Sequence, residues 1–426
     1  MRIMMAALAL TLLARAAAAQ ESPRLRLGDV YRRLEQVSPR VALATARTEA
    51  ARARIGPAGR WPDPAIQLAL MNRNLPRLGL SDPLGMNQIQ VMQMIPVAGK
   101  TGLAVRAARA GAEAEAERGR ETAQEVRADA AMRFFDLYQA DATIVVMQEG
   151  RTLLQEATRS AEAMYATCEG SQSAVLRAQV ELARMDEGLL RMEAMRQSMA
   201  TRLNALGGLP LDAPVAAPEL PRFPTPPTAD SLEALALARR PMLAAGALDA
   251  TASEFLAWRA GREIWPDLTV GVIYGQRPMP DGGTDRMASF MLGFTLPLTP
   301  GRRQGAMAAE ARAMHAMALA ELASMRLDTR IRVGALSVEL DRTGSTRTHY
   351  QTTLVPQLEA GAASALAGYR GGRVDFMTLI ETAMALIGAR QELVRLDAET
   401  GGAWAELEML TGTSFLDAAP AAGAAP

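Results

Sequence analysis

The sequence predicts a mainly helical chain with four β-strands, built as two copies of one unit: a strand pair followed by a long helical hairpin. Three observations predict it. Prolines are confined to a few places, so two long blocks rich in Ala, Arg, Glu, Leu and Met stay free to form helix. Short stretches between them alternate apolar and polar residues. Motifs of the first half return in the second in the same order, at a nearly constant offset.

Composition excludes several classes. The chain has 426 residues, 46 basic and 46 acidic side chains, and zero formal charge. A nucleic-acid binder needs a basic footprint for phosphate, so nucleic acid is not an expected partner. One Cys excludes a disulfide framework, and two His leave little for a metal site. Residues 1–19 carry Arg2, an apolar run from Ile3 to Leu13, and the small residues Ala16 to Ala19. That is the pattern of a cleaved export signal. The apolar run is too short to span a bilayer as a helix. No Cys follows it, which argues against a lipid anchor. No later stretch is apolar for spanning length, so any membrane crossing must use strands.

The elements follow in order. Between Pro96 and Pro210 there is no proline. Residues 101–165 form one helix of roughly 100 Å at 1.5 Å per residue. Gly170-Ser171-Gln172-Ser173 reverses the chain, and a return helix runs to about Leu206. Residues 209–230 hold seven prolines, from Pro210 to Pro227, and read as a linker. The second half repeats the plan over residues 302–370, Gly371-Gly372, and 375–410, with Pro356 placed to kink its outgoing helix. Trp61-Pro62-Asp63 returns as Trp265-Pro266-Asp267, and Tyr165 as Tyr369, each 204 residues later. Ile95-Pro96 with Gly99-Lys100 returns as Leu296-Pro297 with Gly301-Arg302. The expected organisation is a first repeat over 27–208, the linker at 209–230, a second repeat over 231–412, and a tail at 413–426.

Each half carries two strands. Ile66, Leu68 and Leu70 alternate with Gln67 and Ala69; Ile89 and Val91 alternate with Gln88, Gln90 and Met92. Leu268, Val270, Val272 and Tyr274 form a third apolar row, and Phe290, Leu292, Phe294 and Leu296 a fourth. A transmembrane strand needs about 9–11 residues. Residues 72–85 and 275–286 hold Pro, Gly, Asp and Asn and read as exposed turns. The return helices carry rows at a spacing of seven: Leu379, Leu386 and Leu393; Ile380, Ile387 and Val394; Met185, Met192 and Met199; Val175, Leu182 and Leu189. Such rows make left-handed supercoiled seams. Four strands cannot close a barrel, and open edges are not tolerated in lipid, so a membrane sheet requires further copies of the chain.

The strand-plus-hairpin repeat, with Pro-x-x-Gly-Lys or Pro-x-x-x-Gly-Arg before each long helix, resembles the TolC family of outer-membrane efflux channels over residues 27–412. Residues 86–100, Met86-Asn87-Gln88-Ile89-Gln90-Val91-Met92-Gln93-Met94-Ile95-Pro96-Val97-Ala98-Gly99-Lys100, are most similar to the heavy-metal-efflux, CusC- and CzcC-like branch. The resemblance implies a homotrimer with a 12-stranded β-barrel in the outer membrane, continuous with a periplasmic α-helical barrel. It also implies a periplasmic adaptor protein and an inner-membrane pump, of RND type, as partners. The channel itself would be a passive conduit with no enzymatic chemistry and no cofactor. It implies that the hairpin turns, Gly170 and Ser171 in the first and Arg370, Gly371, Gly372 and Arg373 in the second, form the periplasmic tip. Asp375 matches the first acidic position of the family's constriction pattern Val-Asp-Val-Leu-Asp; the second falls on Thr378, a departure. A ring of Asp375 carboxylates would favour cations, and the same carboxylate is equally placed to cap the return helix.

Other candidates give less. Met185, Met192 and Met199 lie at heptad spacing, as packing residues do. His315 and His349 are too far apart on one helix to share a metal, and no catalytic set stands out. Cys168 is a small incidental thiol. Two rival readings share some features: a type I protein-secretion outlet has the same fold, and a periplasmic coiled-coil adaptor has one hairpin rather than two.

Overall fold

The computed structural model describes residues 24–72, 85–279, 281–296 and 301–416. The export signal expected at 1–19, the tail beyond residue 416, most of the 72–85 turn and the Pro297 and Pro300 positions lie outside the described residues. No described helix is long and apolar enough to cross a membrane.

The element order repeats. The first pass runs α1 (Leu27–Val37), α2 (Pro39–Ala53), α3 (Ile55–Ala58), β1 (Ala65–Met71), β2 (Met86–Ile95), α4 (Lys100–Ala166) and α5 (Gln172–Leu206). The second runs α6 (Ala229–Arg239), α7 (Pro241–Gly261), β3 (Leu268–Pro278), β4 (Thr284–Phe294), α8 (Arg303–His349), α9 (Val355–Arg370) and α10 (Phe376–Thr411). A 3-10 turn, Arg262–Ile264, leads into β3. Two compact units form, and each draws on both repeats: one from residues 1–42, 121–240 and 328–426, the other from 43–120 and 241–327.

The second of these units contains the strands. They form one antiparallel sheet in the order β1-β2-β3-β4. Ile66 pairs with Val91, Val91 with Val272, and Val272 with Phe290. The apolar rows therefore line up across all four strands on one face. That face is bare: Leu68 is 80% exposed and Phe290 73%. The β3–β4 hairpin differs from expectation. Its strands continue through Pro278 and restart at Thr284, so the turn is much shorter than 275–286. Proline is tolerated because it ends the strand, where a ladder N–H is not needed. In the helices of this unit small residues let neighbours approach closely; a Cβ on Gly246 would sit 2.6 Å from Met325 Cε. His315 Nδ1 lies 3.1 Å from Ser253 Oγ and 3.0 Å from the Ala250 carbonyl, a local packing bond.

The other unit contains both hairpin ends. One buried cluster gathers Tyr31, Phe134, Phe135, Leu336, Trp404 and Leu407; another gathers Leu154, Ala157, Ala161, Leu379 and Ile387. The expected α10 rows are largely buried: Leu379, Leu386, Ile380, Ile387 and Val394 all point inward. The α5 rows are less covered. Met185 is buried, whereas Leu176, Val180 and Leu190 of the same helix are exposed. Glycine permits the closest approaches, with Phe135 lying where a Cβ on Gly401 would be. Buried charge is paired. Arg240 Nε meets Glu121 at 3.0 Å and its Nη1 donates to Thr329 Oγ1 at 2.8 Å. Asp397 pairs with Arg347, and the Tyr138 hydroxyl donates to it at 3.5 Å. Burial first, and the Asp397 charge second, push the Tyr138 phenol up to about 12.

Pro356 does not simply bend α8. The five residues Tyr350–Leu354 form a π turn, and α9 restarts with proline in its first turn. The wider turn removes the need for the N–H that proline lacks. The linker is not loose either. Leu25 donates its N–H to the Ala217 carbonyl at 3.0 Å, and Glu219 returns one to Leu25 at 2.9 Å. Leu220 and Phe223 pack on the Trp404 cluster.

Candidate functional site at the hairpin turns

The two turns are built alike, position by position. In the second, α9 ends with Gly371 N–H on the Ala367 carbonyl at 3.1 Å, Gly372 N–H on Tyr369 at 3.0 Å, and Arg373 N–H on Gly368 at 2.9 Å. Gly372 takes φ +66°, the left-handed conformation that closes helix ends. Asp375 then caps α10. Its backbone is extended, and its carboxylate accepts from the Thr378 N–H at 3.3 Å and from the Thr378 hydroxyl. In the first turn Ser171 caps α5 by accepting from the Ala174 N–H at 3.2 Å. Ser171 stands 204 residues before Asp375, and Ala174 the same distance before Thr378. Cys168 stands 204 before Gly372 and adopts φ +61°, unusual for a residue with a side chain. Gly170 is required by crowding: a Cβ there would lie 2.9 Å from the Tyr165 nitrogen.

Charge and burial separate the turns. Asp375 and Thr378 are both exposed. The Thr378 hydroxyl, then its backbone N–H, hold the Asp375 carboxyl below its ordinary value. The helix terminus therefore favours the charged form of a carboxylate that is already ionised at neutral pH. The first turn offers a neutral hydroxyl at the matching place. Tyr369 is buried and packs edge-on against Phe376, with ring centroids 5.5 Å apart, and burial pushes its phenol up. Its counterpart Tyr165 is exposed.

Of the residues expected at the tip, Arg370 is the one that reaches the other hairpin. Its Nε donates to Ser160 Oγ on α4 at 3.2 Å, and Nη2 lies 3.9 Å from Glu156. Arg177 on α5 touches the Met377 sulfur on α10. Gly371, Gly372 and Arg373 form the α9 cap, and Gly170 and Ser171 the first turn. Cys168 is an exposed free thiol. Among the described residues no cluster of His, Cys, Asp or Glu could hold a metal.

A second constellation escaped the sequence reading: Lys100, at the start of α4, is 5% exposed. Its Nζ donates to the Trp265 carbonyl at 2.9 Å and to Asp267 Oδ1 at 3.0 Å, and lies 3.1 Å from Glu263. Asp267 Oδ1 also accepts from the Val97 N–H at 3.2 Å. The Gly-Lys motif of the first repeat is thus locked to the Trp-Pro-Asp motif of the second. Both motifs were visible; that they bind each other was not, because sequence offset carries no distance.

Comparison with known proteins gives a family. Residues 232–413 match the family model described as outer membrane efflux protein. Over this segment, less than half of the chain, the sequence is similar to that family. The outer-membrane channel fold extends over almost the whole chain. VceC from Vibrio cholerae superposes with a TM-score of 0.77 at 18% identity, covering 91% of this chain and 96% of that one. CusC gives 0.77 at 14% identity over 93% and 96%. The outer-membrane channel OprN gives 0.77 at 16% over 92% and 90%. A search of curated proteins returned no significant match. The family is one of channels, not enzymes.

Proposed function

We propose that the chain is the outer-membrane channel of a tripartite efflux system: a passive trimeric conduit that exports small molecules or metal ions. In this reading three copies contribute four strands each to a closed barrel in the outer membrane. The hairpins extend into the periplasm and dock on an adaptor protein coupled to an inner-membrane pump of RND type. Residues 27–208 and 231–412 are its two repeats, and residues 1–19 its removed export signal. The observation that carries the reading is the sheet. It presents an exposed face dominated by apolar rows, interrupted at Gln93, and ends in two edges that lack partners within the four-strand order. Lipid covers such a face, but it cannot satisfy free ladder groups, so further strands must close the sheet. The exposed apolar residues of α5 support neighbouring copies in the same way.

Within that trimer Asp375 lines the periplasmic entrance, with Thr378 beside it, and sets its charge. Single-channel recording tests this. Asp375→Asn should lower cation selectivity; unchanged selectivity and conductance would leave Asp375 as a cap alone. Deleting the gene tests the substrate. Sensitivity confined to Cu, Ag, Zn, Co or Cd places the pump with metal exporters, and drug sensitivity alone removes that branch. A defect in secretion of a protein, with neither sensitivity, would replace efflux by the type I outlet.

A further inference from the structure

The two strand hairpins share one register. A shift of 204 (Trp61 to Trp265) carries β1 onto β3, and a shift of 201 (Ile95 to Leu296) carries β2 onto β4. Under these shifts the β1–β2 pair Ile66↔Val91 becomes Val270↔Leu292, and Leu68↔Ile89 becomes Val272↔Phe290. Both are pairs observed between β3 and β4. The duplication is therefore geometric as well as sequential, and it holds residue for residue.

The chain also contains one junction between repeats. β2 of the first pairs with β3 of the second, with Val91↔Val272, Ile89↔Tyr274 and Met92↔Gly271. Lys100 closes that junction on Trp265 and Asp267. A chain of two repeats has one such junction inside it and two halves of another at its ends. The outer edge of β4 lacks its β1, and the outer edge of β1 lacks its β4.

We infer that β4 of each subunit pairs with β1 of the next copy in the β2–β3 register, and that the Arg302–Arg303 pair of one subunit closes on Asp63 and the Trp61 carbonyl of the other. The shifts fix the pairs. Val91↔Val272 becomes Leu292 against Leu68 of the partner subunit. Ile89↔Tyr274 becomes Phe290 against Leu70 of the partner subunit. Gln90↔Ile273 becomes Met291 against Ala69 of the partner subunit.

Two independent features agree with this. Phe290, Leu292, Leu68 and Leu70 all lie on the bare apolar face, and a slip of one residue would turn one set of them inward. At the mouth of the sheet, Trp61, Asp63, Arg302 and Arg303 are all exposed, whereas their counterparts around Lys100 are engaged. The second junction is not a copy of the first. Glu263 maps onto Gly59, so Asp63 is the sole carboxylate there; Lys100 falls on Gly301 under the strand shift, and one extra residue in the second repeat puts Arg302 at the lysine's place in the motif. The guanidinium can satisfy a carboxylate and a carbonyl together.

The inference rests on the trimer proposed above, and the test separates the two. Cross-strand neighbours lie within disulfide reach, whereas residues two positions out of register do not. In a Cys168→Ser background, full-length protein carries Ala69→Cys with Met291→Cys, or Leu68→Cys with Leu292→Cys. The off-register controls pair Ala69→Cys with Ser289→Cys and Leu68→Cys with Phe290→Cys. After oxidation in membranes, the in-register variants should form covalent dimers and trimers at least tenfold more than the controls. Native mass of the uncrosslinked parent reports the assembly on its own. A trimeric parent with crosslinks only at the control pairs, or at none, overturns the register and leaves the trimer standing. A parent that is not an oligomer overturns both. Asp63→Arg should lower the temperature at which the trimer dissociates, and Arg302→Asp with Arg303→Asp in the same chain should restore it. No drop with Asp63→Arg would remove the ion pair from the junction.

Discussion

Replacing Lys100 with Met tests whether the junction between repeats is held by its charge. Methionine keeps most of the apolar stem and removes the ammonium. The lysine side chain is 6% exposed and its Nζ meets a carbonyl and two carboxylates within 3.1 Å. Stripping one partner from a fully buried ion pair costs about 3–5 kcal/mol, because the remaining charge stays desolvated. Here Asp267 and Glu263 keep 25% and 28% exposure, so water recovers part of their solvation. The expected loss is therefore lower, roughly 2–3 kcal/mol. For a 426-residue chain, with an unfolding entropy of roughly 0.9 kcal/mol/K, that corresponds to about 2–3 °C in melting temperature.

Circular dichroism melting of detergent-purified protein reads this directly. Lys100→Arg should recover most of the loss, since an arginine stands at the matching place in the second repeat. Asp267→Asn should cost less than Lys100→Met, because Glu263 remains for the ammonium. A Lys100→Met protein melting within 1 °C of the parent would refute the reasoning. It would mean that the three acceptors are satisfied without the lysine.

Three further outcomes are expected. Gly401→Ala should destabilise by about 1–3 kcal/mol, because its Cβ would fall 2.3 Å from Phe135 Cε1. Gly402→Ala, with nothing within 4 Å, should gain up to about 1 kcal/mol of helix propensity, and melting curves of the pair decide. Gly372→Ala should cost roughly 1 kcal/mol through its positive φ, while Cys168→Gly, at the same place in the first turn, should be stabilising. Glu408 carries a carboxyl raised by burial, against the N–H groups of Leu416 and Phe415. Its folded form holds a proton more readily than the unfolded chain, so its contribution is full below the ordinary 4.5 and is lost as pH rises towards the folded value. Relative to Glu408→Gln, the parent should lose stability across that window by at most about 1.4 kcal/mol per pH unit, and a flat difference would refute the assignment.

The elements were legible because their signals are local. Period-two alternation marked β1 to β4, proline marked where the long helices could not be, and Ser171 and Asp375 sat where caps belong. The repeat was legible because its motifs return in order at offsets of 201 to 204 residues. What escaped depends on distance through space. Lys100 finds partners 163 residues away or more, and Leu25 finds Ala217 in a linker whose prolines advertised only the end of a helix. Pro356 signalled a disturbance but not its form, since a π turn and a kink answer the same missing N–H. The short β3–β4 turn was hidden because Gly275 and Pro278 are turn formers by composition and strand residues by position.

The asymmetry of the two turns bears on how charge enters the proposed pore. Ser171 and Asp375 perform one structural task, accepting the N–H three residues on, and either side chain suffices for it. Capping alone therefore gives no reason for a carboxylate in one turn and a hydroxyl in the other. What the carboxylate adds is charge, and the Thr378 hydroxyl, replaced by Ala174 in the first turn, lowers the pH at which that charge would be lost. In the proposed trimer the six turns would alternate, giving the entrance three carboxylates between three neutral serines. In the proposed pore the cap and the constriction would then be one device: the helix terminus that holds Asp375 in place also extends to lower pH the range over which it is charged.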